Sequence, residues 1–243
     1  SELYGTNMKT DVIIIGSGAA GLMCALQAGQ RGRSVVLLDH AKKLAEKIRI
    51  SGGGHCNFTN LNIKPENYIS ANPNFCRSAL ARYTPQDFIA LLQKHNIGYH
   101  EKTLGQLFCD DEAEVLIAML RGECDAAGVK RFMSCEIEEI KHTPYAPDVG
   151  GGKKAKFYVS TSRGDFEAVS LVIATGGLSI PSMGATGFGY DIAKQFGHRL
   201  LPQRAGLVPL TLIGKHQEHY ADLAGLALPV SARCGKTRFD NAM

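Results

Sequence analysis

The chain has 243 residues, of which 44% are hydrophobic and 21% are charged, with a formal net charge of +4. This length and composition can bury a full core, enough for one domain plus part of another. The positive charges are spread along the sequence, so they do not predict a nucleic-acid partner. No apolar run is long enough to span a bilayer, and the N-terminus lacks the apolar segment of a signal peptide. We therefore expect a cytoplasmic protein with no membrane partner.

The segment from Asp11 to Asp39 predicts a strand, a glycine-rich turn, a helix and a second strand. Val12–Ile15 is an unbroken β-branched run, typical of a strand buried on both faces of a parallel sheet. The next six residues, Gly16–Gly21, fit the pattern G-x-G-x-x-G and open the helix. Residues 34–38 form the second strand, and Asp39 ends it. A turn that only packs is the alternative, but the order of the elements favours a dinucleotide-binding site.

Each glycine of this turn has a predicted role. Gly16 permits the tight turn, Gly18 lets the backbone approach a pyrophosphate, and Gly21 permits close packing of helix on strand. The helix N-terminus offers N–H groups to the phosphates. Asp39 follows at about the 20-residue offset of the acid that bonds a ribose hydroxyl. An acid there disfavours NADP, while NAD and FAD both remain open.

A second glycine-rich segment, Ser51–Gly54, predicts a loop that permits close approach of the backbone. Polar residues follow it directly, and they are His55, Cys56, Asn57, Thr59 and Asn60. The segment is either a surface turn or a second clamp on the same ligand. Adjacent His and Cys residues lack ordinary ligand spacing, so no metal site is expected. The seven cysteines form no C-x-x-C pair, which predicts free thiols rather than disulfides.

The rest of the chain predicts further elements from its start signals, apolar periodicity and turns. In chain order they are an irregular stretch at 61–83, a helix from Thr84-Pro85, a helix at 111–127, a strand at 131–140, an exposed loop, a hairpin at 157–161 and 166–170, a strand at 171–174, a helix ending near Phe196 and a β-rich unit from Leu207. The strand at 171–174 ends in Thr175-Gly176-Gly177. Small residues there allow a ligand to lie at the carboxyl end of the sheet.

Several motifs together resemble a known family. They are GSGAAG with Asp39, KIRISGGGHCNFTN, ATGG, PSMGATGFGYDIAKQFGH and LVPLTL, in this order. The chain resembles the bacterial aminoacetone-oxidase/BaiN-like FAD-dependent flavoproteins, which belong to the class with two dinucleotide-binding domains. The resemblance implies an α/β fold, with a Rossmann-like FAD-binding domain and its β-meander at 1–203. The start of a β-rich inserted domain would follow at 204–243.

The resemblance also implies which residues hold the cofactor, FAD. The glycine turn would hold the pyrophosphate and Asp39 the ribose, while the backbone near Ile137 would meet the adenine. The predicted cofactor-binding residues are Gly16, Gly18, Ala19, Ala20, Gly21, Asp39, His40, Lys47, Ser51, Gly52, Gly53, Cys56, Asn57, Ile137, Thr175, Gly176 and Gly177. Two positions depart from the family pattern: His55 stands where Arg is usual, and GQLFCD at 105–110 replaces a Gly-Arg-x-Phe-Pro pattern.

The predicted activity is an FAD-dependent oxidoreductase in which a small-molecule substrate gives a hydride to the flavin. An acceptor (oxygen, NAD(P) or another carrier) would then reoxidise the flavin. One alternative is an NAD-dependent dehydrogenase, which would be colourless rather than yellow. The other is a non-catalytic FAD-binding protein or a fragment. No residue is marked as the catalytic base. The family resemblance also predicts that this chain is an incomplete piece of a longer one.

Overall fold

The computed structural model describes residues 7–143, 157–179, 186–205, 211, 213–215, 220 and 228–242. The chain divides into two compact units, Ser1–Arg199 and Leu200–Met243. The predicted loop beyond residue 143 and most of the predicted strand at 207–214 lie outside the described residues. That residues 204–243 begin a β-rich domain of a longer protein stays a prediction.

The first unit alternates strands and helices along most of its length. Its strands are β1 (Met8–Ile15), β2 (Val35–Leu38), β3 (Asn57–Asn60), β4 (Tyr99–Glu101), β5 (Gln106–Cys109), β6 (Lys130–Phe132), β7 (Ile137–His142), β8 (Phe157–Thr161) and β9 (Gly164–Ile173). Its helices are α1 (Ala19–Gln30), α2 (Glu46–Ile50), α3 (Arg77–Arg82), α4 (Pro85–Lys94), α5 (Glu114–Ala126) and α6 (Phe188–Gln195), with short 3-10 turns at Ser51–Gly54 and Pro65–Asn67. The described strands of the second unit are β10 (Pro229–Cys234) and β11 (Thr237–Ala242).

A six-stranded sheet in the order β6-β2-β1-β9-β8-β7 organises the first unit. The four strands β6, β2, β1 and β9 run parallel to one another. The strands β9, β8 and β7 form an antiparallel meander. β1 is a central strand between β2 and β9, and its residues Ile13, Ile14 and Ile15 are buried in the two cores on opposite faces of the sheet. This arrangement confirms the predicted Rossmann-like α/β fold with a β-meander.

Alternation along β1 divides the core between the two faces of the sheet. Ile14 packs on the face covered by α1 and α5, together with Leu22 and Leu37. Ile13 and Ile15 pack on the other face with Phe166. Burying one such side chain contributes roughly 1.5–3 kcal/mol. The sheet is therefore held from both sides, which fixes the position of the loops at its carboxyl edge.

Local signals explain where several helices begin. Thr84 caps α4, because its hydroxyl accepts from the Asp87 N–H at 3.3 Å while the Asp87 carboxylate accepts from the Thr84 N–H at 2.7 Å. Pro85 occupies the first helical position, as predicted. α5 confirms the predicted helix at 111–127 with narrower bounds. α1 differs from α4, because its N-cap is Gly18 and no side chain caps it.

The predicted single strand at 131–140 is wrong. β6 ends at Phe132 and β7 begins at Ile137, and these two strands lie at opposite edges of the sheet. Ser134, with a left-handed φ of 49°, donates to the Ala41 carbonyl, and Cys135 donates to the Asp39 carbonyl. The connection between β6 and β7 is therefore bonded to the loop that follows β2.

Two further predictions are corrected. The segments 166–170 and 171–174 are not separate strands, because β9 continues through both as far as Ile173 and pairs with β1 from Met8↔Phe166 to Ile15↔Ile173. The stretch at 61–83 is not irregular throughout, since it contains α3.

A second, antiparallel sheet of three strands has the order β3-β5-β4. β5 is its central strand and pairs with both neighbours, with a register shift between Asn57 and Thr59. Phe58 of β3 packs against Phe88 of α4 at a ring distance of 5.7 Å. This small sheet supports the turn at Ser51–Gly54.

Candidate functional site

The turn between β1 and α1 is built by close backbone contacts. A Cβ on Gly16, whose φ is 107°, would overlap the Ala174 carbonyl at the end of β9. A Cβ on Gly21 would overlap the Gly16 carbonyl. Gly18 differs, because a Cβ there would meet no atom of the described residues within 4 Å. Gly16 and Gly21 are thus required for packing, whereas Gly18 faces open space.

Asp39 ties this turn to the loop after β2. One of its carboxylate oxygens accepts from both the N–H and the hydroxyl of Ser17, each at 2.6 Å. The other oxygen accepts from the Ala41 N–H at 2.9 Å and lies 3.5 Å from the His40 ring. The side chain is 11% exposed. Asp39 therefore connects the turn after β1 to the loop after β2, while its ribose contact stays a prediction.

The carboxyl end of β9 forms the opposite side of the site. The buried hydroxyl of Thr175 has no hydrogen-bond partner among the described residues. Gly189 of α6 lies against it, since a Cβ at Gly189 would be 3.0 Å from that hydroxyl. Lys47 reaches across from α2 and donates to the Ser179 hydroxyl at 2.6 Å and to the Gly177 carbonyl at 3.4 Å.

These elements enclose a cavity of about 890 Å³. Its volume lies within the 300–1,000 Å³ range of ligand pockets. Of the predicted residues, those that line it are Gly16, Gly18, Ala19, Ala20, Asp39, His40, Lys47, Ile137, Thr175 and Gly176. The predicted residues that do not line it are Gly21, Ser51, Gly52, Gly53, Cys56, Asn57 and Gly177.

Sequence reasoning missed one wall of this cavity. Thr186, Gly187, Phe188 and Asp191, at the N-terminal end of α6, line it together with Glu136 from the β6–β7 connection. Gly187 caps α6 without a side-chain hydrogen bond. The three glycines at 184, 187 and 189 were the available signal, since they resemble the glycine-rich start of α1.

The turn at Ser51–Gly54 packs against the three-stranded sheet. Gly52 and Gly53 have left-handed φ values of 60° and 69°. A Cβ on Gly52 would lie 2.7 Å from the Phe108 ring, whereas one on Gly53 would meet nothing within 4 Å. His55 is exposed, and its ring lies 3.3 Å from the Asp111 carbonyl. Packing on Phe108 thus accounts for Gly52, while Gly53 faces open space.

The thiols beside this turn are buried and protonated near neutral pH. Cys56 directly precedes β3 and Cys109 ends β5, and the Cys109 N–H donates to the His55 carbonyl at 2.9 Å and to the Cys56 carbonyl at 3.4 Å. Burial raises the pKa of Cys56. Burial, and then the nearby Cys56, raises the pKa of Cys109 to about 11. These thiols are therefore poor nucleophiles at neutral pH.

An exposed pair of one histidine and one aspartate lies at the same small sheet and was not predicted. His100 Nδ1 is 2.7 Å from an Asp110 carboxylate oxygen, and the His100 ring stacks on Phe108 at 6.3 Å. The Lys102 ammonium lies 5.2 Å from the centre of the Phe108 ring. The three-residue strand β4 that carries His100 gave no periodic signal in the sequence.

Among the residues that the structure describes, no group of three or more His, Cys, Asp or Glu side chains is placed to hold a metal ion. No helix in the described part of the chain has the length and apolar character needed to cross a membrane.

Comparison with known families identifies the domain. Residues 10–228 match the model described as the HI0933-like protein Rossmann domain. The chain belongs to this family.

Three curated relatives match most of the chain. One from Escherichia coli strain K12 is 51% identical over 91% of this chain and 53% of its own length, and one from Haemophilus influenzae is 46% identical over 95% and 56%. Both are named "Ribosomal RNA dihydrouridine synthase". A Clostridium scindens relative, named "3-dehydro-bile acid delta(4,6)-reductase", is 28% identical over 88% of this chain and 49% of its own length. The chain thus spans about half the length of the curated relatives it matches.

These names refine the predicted resemblance. The membership in a Rossmann-domain flavoprotein family is supported, but the two relatives above 45% identity are not named aminoacetone oxidase. Among solved structures, the open form of a flavocytochrome c3 fumarate reductase matches with a TM-score of 0.52 at 17% identity, over 79% of this chain and 41% of that one. At that identity the likeness shows the shared fold alone.

Proposed function

We propose that this chain is the FAD-binding part of a flavin-dependent oxidoreductase. The observation that carries the proposal is the cavity at the carboxyl edge of the sheet, bounded by the uncapped start of α1 and the unobstructed Gly18. N–H groups at such a helix start bind phosphate. The Thr175 hydroxyl, which bonds to none of the described residues, offers a further polar contact on the opposite side. These residues fit FAD.

Each part of the site has a task in holding that cofactor. The backbone around Gly18 would receive the pyrophosphate, and Asp39 would order the turn while it accepts a ribose hydroxyl. Ile137, at the start of β7, would contact the adenine. Lys47 lines the cavity and bonds to Ser179 and the Gly177 carbonyl, so it ties the segment after β9 to α2. Bound FAD would supply hydride transfer, which protein side chains alone do not provide.

Absorption and chromatography of the purified chain test this proposal. We expect a yellow protein whose cofactor is released by heat and runs as FAD. Release of FMN, or a colourless protein that takes up NAD, would contradict it. The second of these results would favour the NAD-dependent dehydrogenase. Bound FAD that no reductant or substrate turns over would favour the non-catalytic alternative.

We further propose that the substrate is uridine in ribosomal RNA rather than the small molecule predicted from the sequence. The support is the shared name of two relatives at 46% and 51% identity, each matched over more than nine-tenths of this chain. The prediction of no nucleic-acid partner rested on evenly spread charge, and that pattern does not exclude a local RNA contact. A ribosomal substrate accords with the predicted cytoplasmic location.

This substrate reverses the predicted direction of hydride transfer. Dihydrouridine differs from uridine by one hydride and one proton added across the C5–C6 double bond. The two electrons must come from a donor, which we take to be a reduced nicotinamide nucleotide. The nicotinamide would then act as electron donor, whereas the sequence analysis placed it among the acceptors.

An activity assay separates the two substrate classes. The FAD-loaded chain would be incubated with a reduced nicotinamide nucleotide and unmodified ribosomal RNA transcribed in vitro. Digestion and mass spectrometry would then measure dihydrouridine. Formation of dihydrouridine above a heat-inactivated control supports the proposal. An FAD-loaded chain that oxidises the nicotinamide with a small-molecule acceptor but leaves the RNA unchanged would restore the small-molecule reading.

A further inference from the structure

Positive charge is concentrated in the hairpin of β10 and β11. Between Pro229 and Ala242 the chain carries Arg233, Lys236 and Arg238 but only one acid, Asp240. This excess of two positive charges is half of the chain's formal net charge of +4, in a short segment. All four side chains are exposed.

The register of the hairpin places two of these cations side by side. Arg233 pairs directly with Arg238, so both side chains leave the same face of the hairpin. Like charges directly opposite each other destabilise a two-stranded ribbon. Asp240 offsets the charge of Arg238, whereas no described acid pairs with Arg233, so a bound anion on that face would offset the remaining repulsion.

The hydrogen bonds of both arginines orient their guanidinium groups. Arg233 donates through Nε to the Gly235 carbonyl at 3.1 Å, and Arg238 donates through Nε to the Asp240 carboxylate at 3.0 Å. No described residue accepts from their terminal nitrogens, and none pairs with Lys236 in the turn. Each arginine thus presents an oriented pair of N–H donors, the geometry that matches a phosphate group.

We propose that the β10–β11 hairpin binds the phosphate backbone of the RNA substrate. The inference rests on the proposed action on ribosomal RNA, and it assigns the RNA contact to a named surface in the second unit. Phosphate contacts by Arg and Lys supply most sequence-independent affinity for nucleic acid. They position the RNA without reading its bases.

The test is the salt dependence of RNA binding by the FAD-loaded full chain. The probe is a short, uridine-rich, fluorescein-labelled single-stranded RNA, titrated between about 50 and 200 mM KCl. Each lost phosphate contact reduces the slope of log affinity against log salt by about 0.7. For Arg233→Gln/Arg238→Gln we expect the slope to become shallower by about 1.4. When the salt rises over this range, the fold-loss of affinity should be about seven times smaller for the variant than for the unmodified chain.

Two matched variants separate the hairpin from general charge. Arg31→Gln/Arg33→Gln removes the same charge from the exposed turn between α1 and β2, and it should leave the slope unchanged. Arg233→Lys/Arg238→Lys keeps the charge but not the planar fork, so it should weaken binding while keeping the slope. FAD content, measured by absorption, should be the same in all variants, which checks the first unit, and far-UV circular dichroism should match that of the unmodified chain.

Three results would overturn the inference. One is an unchanged slope in Arg233→Gln/Arg238→Gln, and another is the absence of RNA binding by the unmodified chain. The third is equal competition by poly-glutamate at the same charge concentration, which would assign the hairpin to an acidic protein partner. The dihydrouridine assay tests the proposed function separately. If the chain modifies RNA but the hairpin variants bind RNA normally, the proposed function holds and the hairpin assignment fails.

Discussion

The two glycine-rich turns of the first unit look alike in sequence but differ in what surrounds their glycines. In the turn after β1, Gly16 and Gly21 are fixed by backbone carbonyls, and Gly18 faces the cavity. In the turn at Ser51–Gly54, Gly52 has two close neighbours, the Phe108 ring and the Asn57 backbone nitrogen, and the three glycines are not among the described residues that line the cavity. A glycine is therefore best interpreted by what a Cβ would meet, not by the motif that contains it.

The largest expected effect is that of Gly16→Ala. The new Cβ would overlap the Ala174 carbonyl at a φ of 107°, so the substitution combines overpacking with backbone strain. We expect the free energy of unfolding to fall by about 3 kcal/mol or more, as measured by chemical denaturation. Gly53→Ala is the matched control. It shares a positive φ but meets nothing within 4 Å, so it should cost only about 1–2 kcal/mol. Equal losses would remove the distinction between the two turns.

Asp39→Ala should have the next largest effect. It leaves the Ser17 N–H, the Ser17 hydroxyl and the Ala41 N–H without their acceptor. Since hydrogen bonds to charged groups contribute about 1.5–3 kcal/mol, we expect unfolding to become easier by about 2–3 kcal/mol. FAD affinity should fall roughly ten- to a hundredfold.

The control for Asp39 is Asp191→Ala. Asp191 also lines the cavity, but its ion pair with Lys194, at 3.6 Å, is exposed. Its loss should change the free energy of unfolding by less than about 0.5 kcal/mol. A normal FAD titration of Asp39→Ala would show that the carboxylate does not support the cofactor.

Near the second turn, the buried thiol of Cys109 should make the stability of the fold depend on pH in the alkaline range. Burial raises the pKa of Cys109 to about 11, against an ordinary value of 9.0. Between these values the unfolded chain releases the thiol proton while the folded chain keeps it, so stability falls as pH rises from about 9 to 11. Cys109→Ser should reduce this decline by roughly 1–2 kcal/mol. Cys234→Ser, at an exposed position, should leave the decline unchanged, and equal declines in all three proteins would contradict the assignment.

Much of the first turn was predictable because its signals are local. The β-branched run of β1, the spacing of the glycines and the acid at Asp39 lie within one strand–helix–strand unit. The cavity wall at Phe188 and the β6–β7 connection at Ser134 were not predictable in this way. They depend on which strands become neighbours, and the connection between β6 and β7 joins opposite edges of the sheet. The motif at Ser51–Gly54 identified the family, but its placement against Phe108 depends on β5.

A small change in stability is expected for Gly18→Ala, and this variant separates packing from binding. A Cβ at Gly18 meets nothing within 4 Å and its φ is −75°, so the free energy of unfolding should fall by no more than about 1 kcal/mol. The same methyl group would occupy the space that we assign to the pyrophosphate. FAD affinity should therefore fall roughly tenfold or more, as measured by titration of the apoprotein.

Gly53→Ala completes the comparison with Gly18→Ala. Because Gly53 does not line the cavity, its substitution should leave FAD affinity unchanged although the family resemblance places it at the cofactor. Normal binding by Gly18→Ala would show that the pyrophosphate does not lie at the first turn. Weakened binding by Gly53→Ala would show instead that the turn at Ser51–Gly54 closes on the cofactor once it is bound. The pair of titrations thus decides which of the two glycine-rich turns holds FAD.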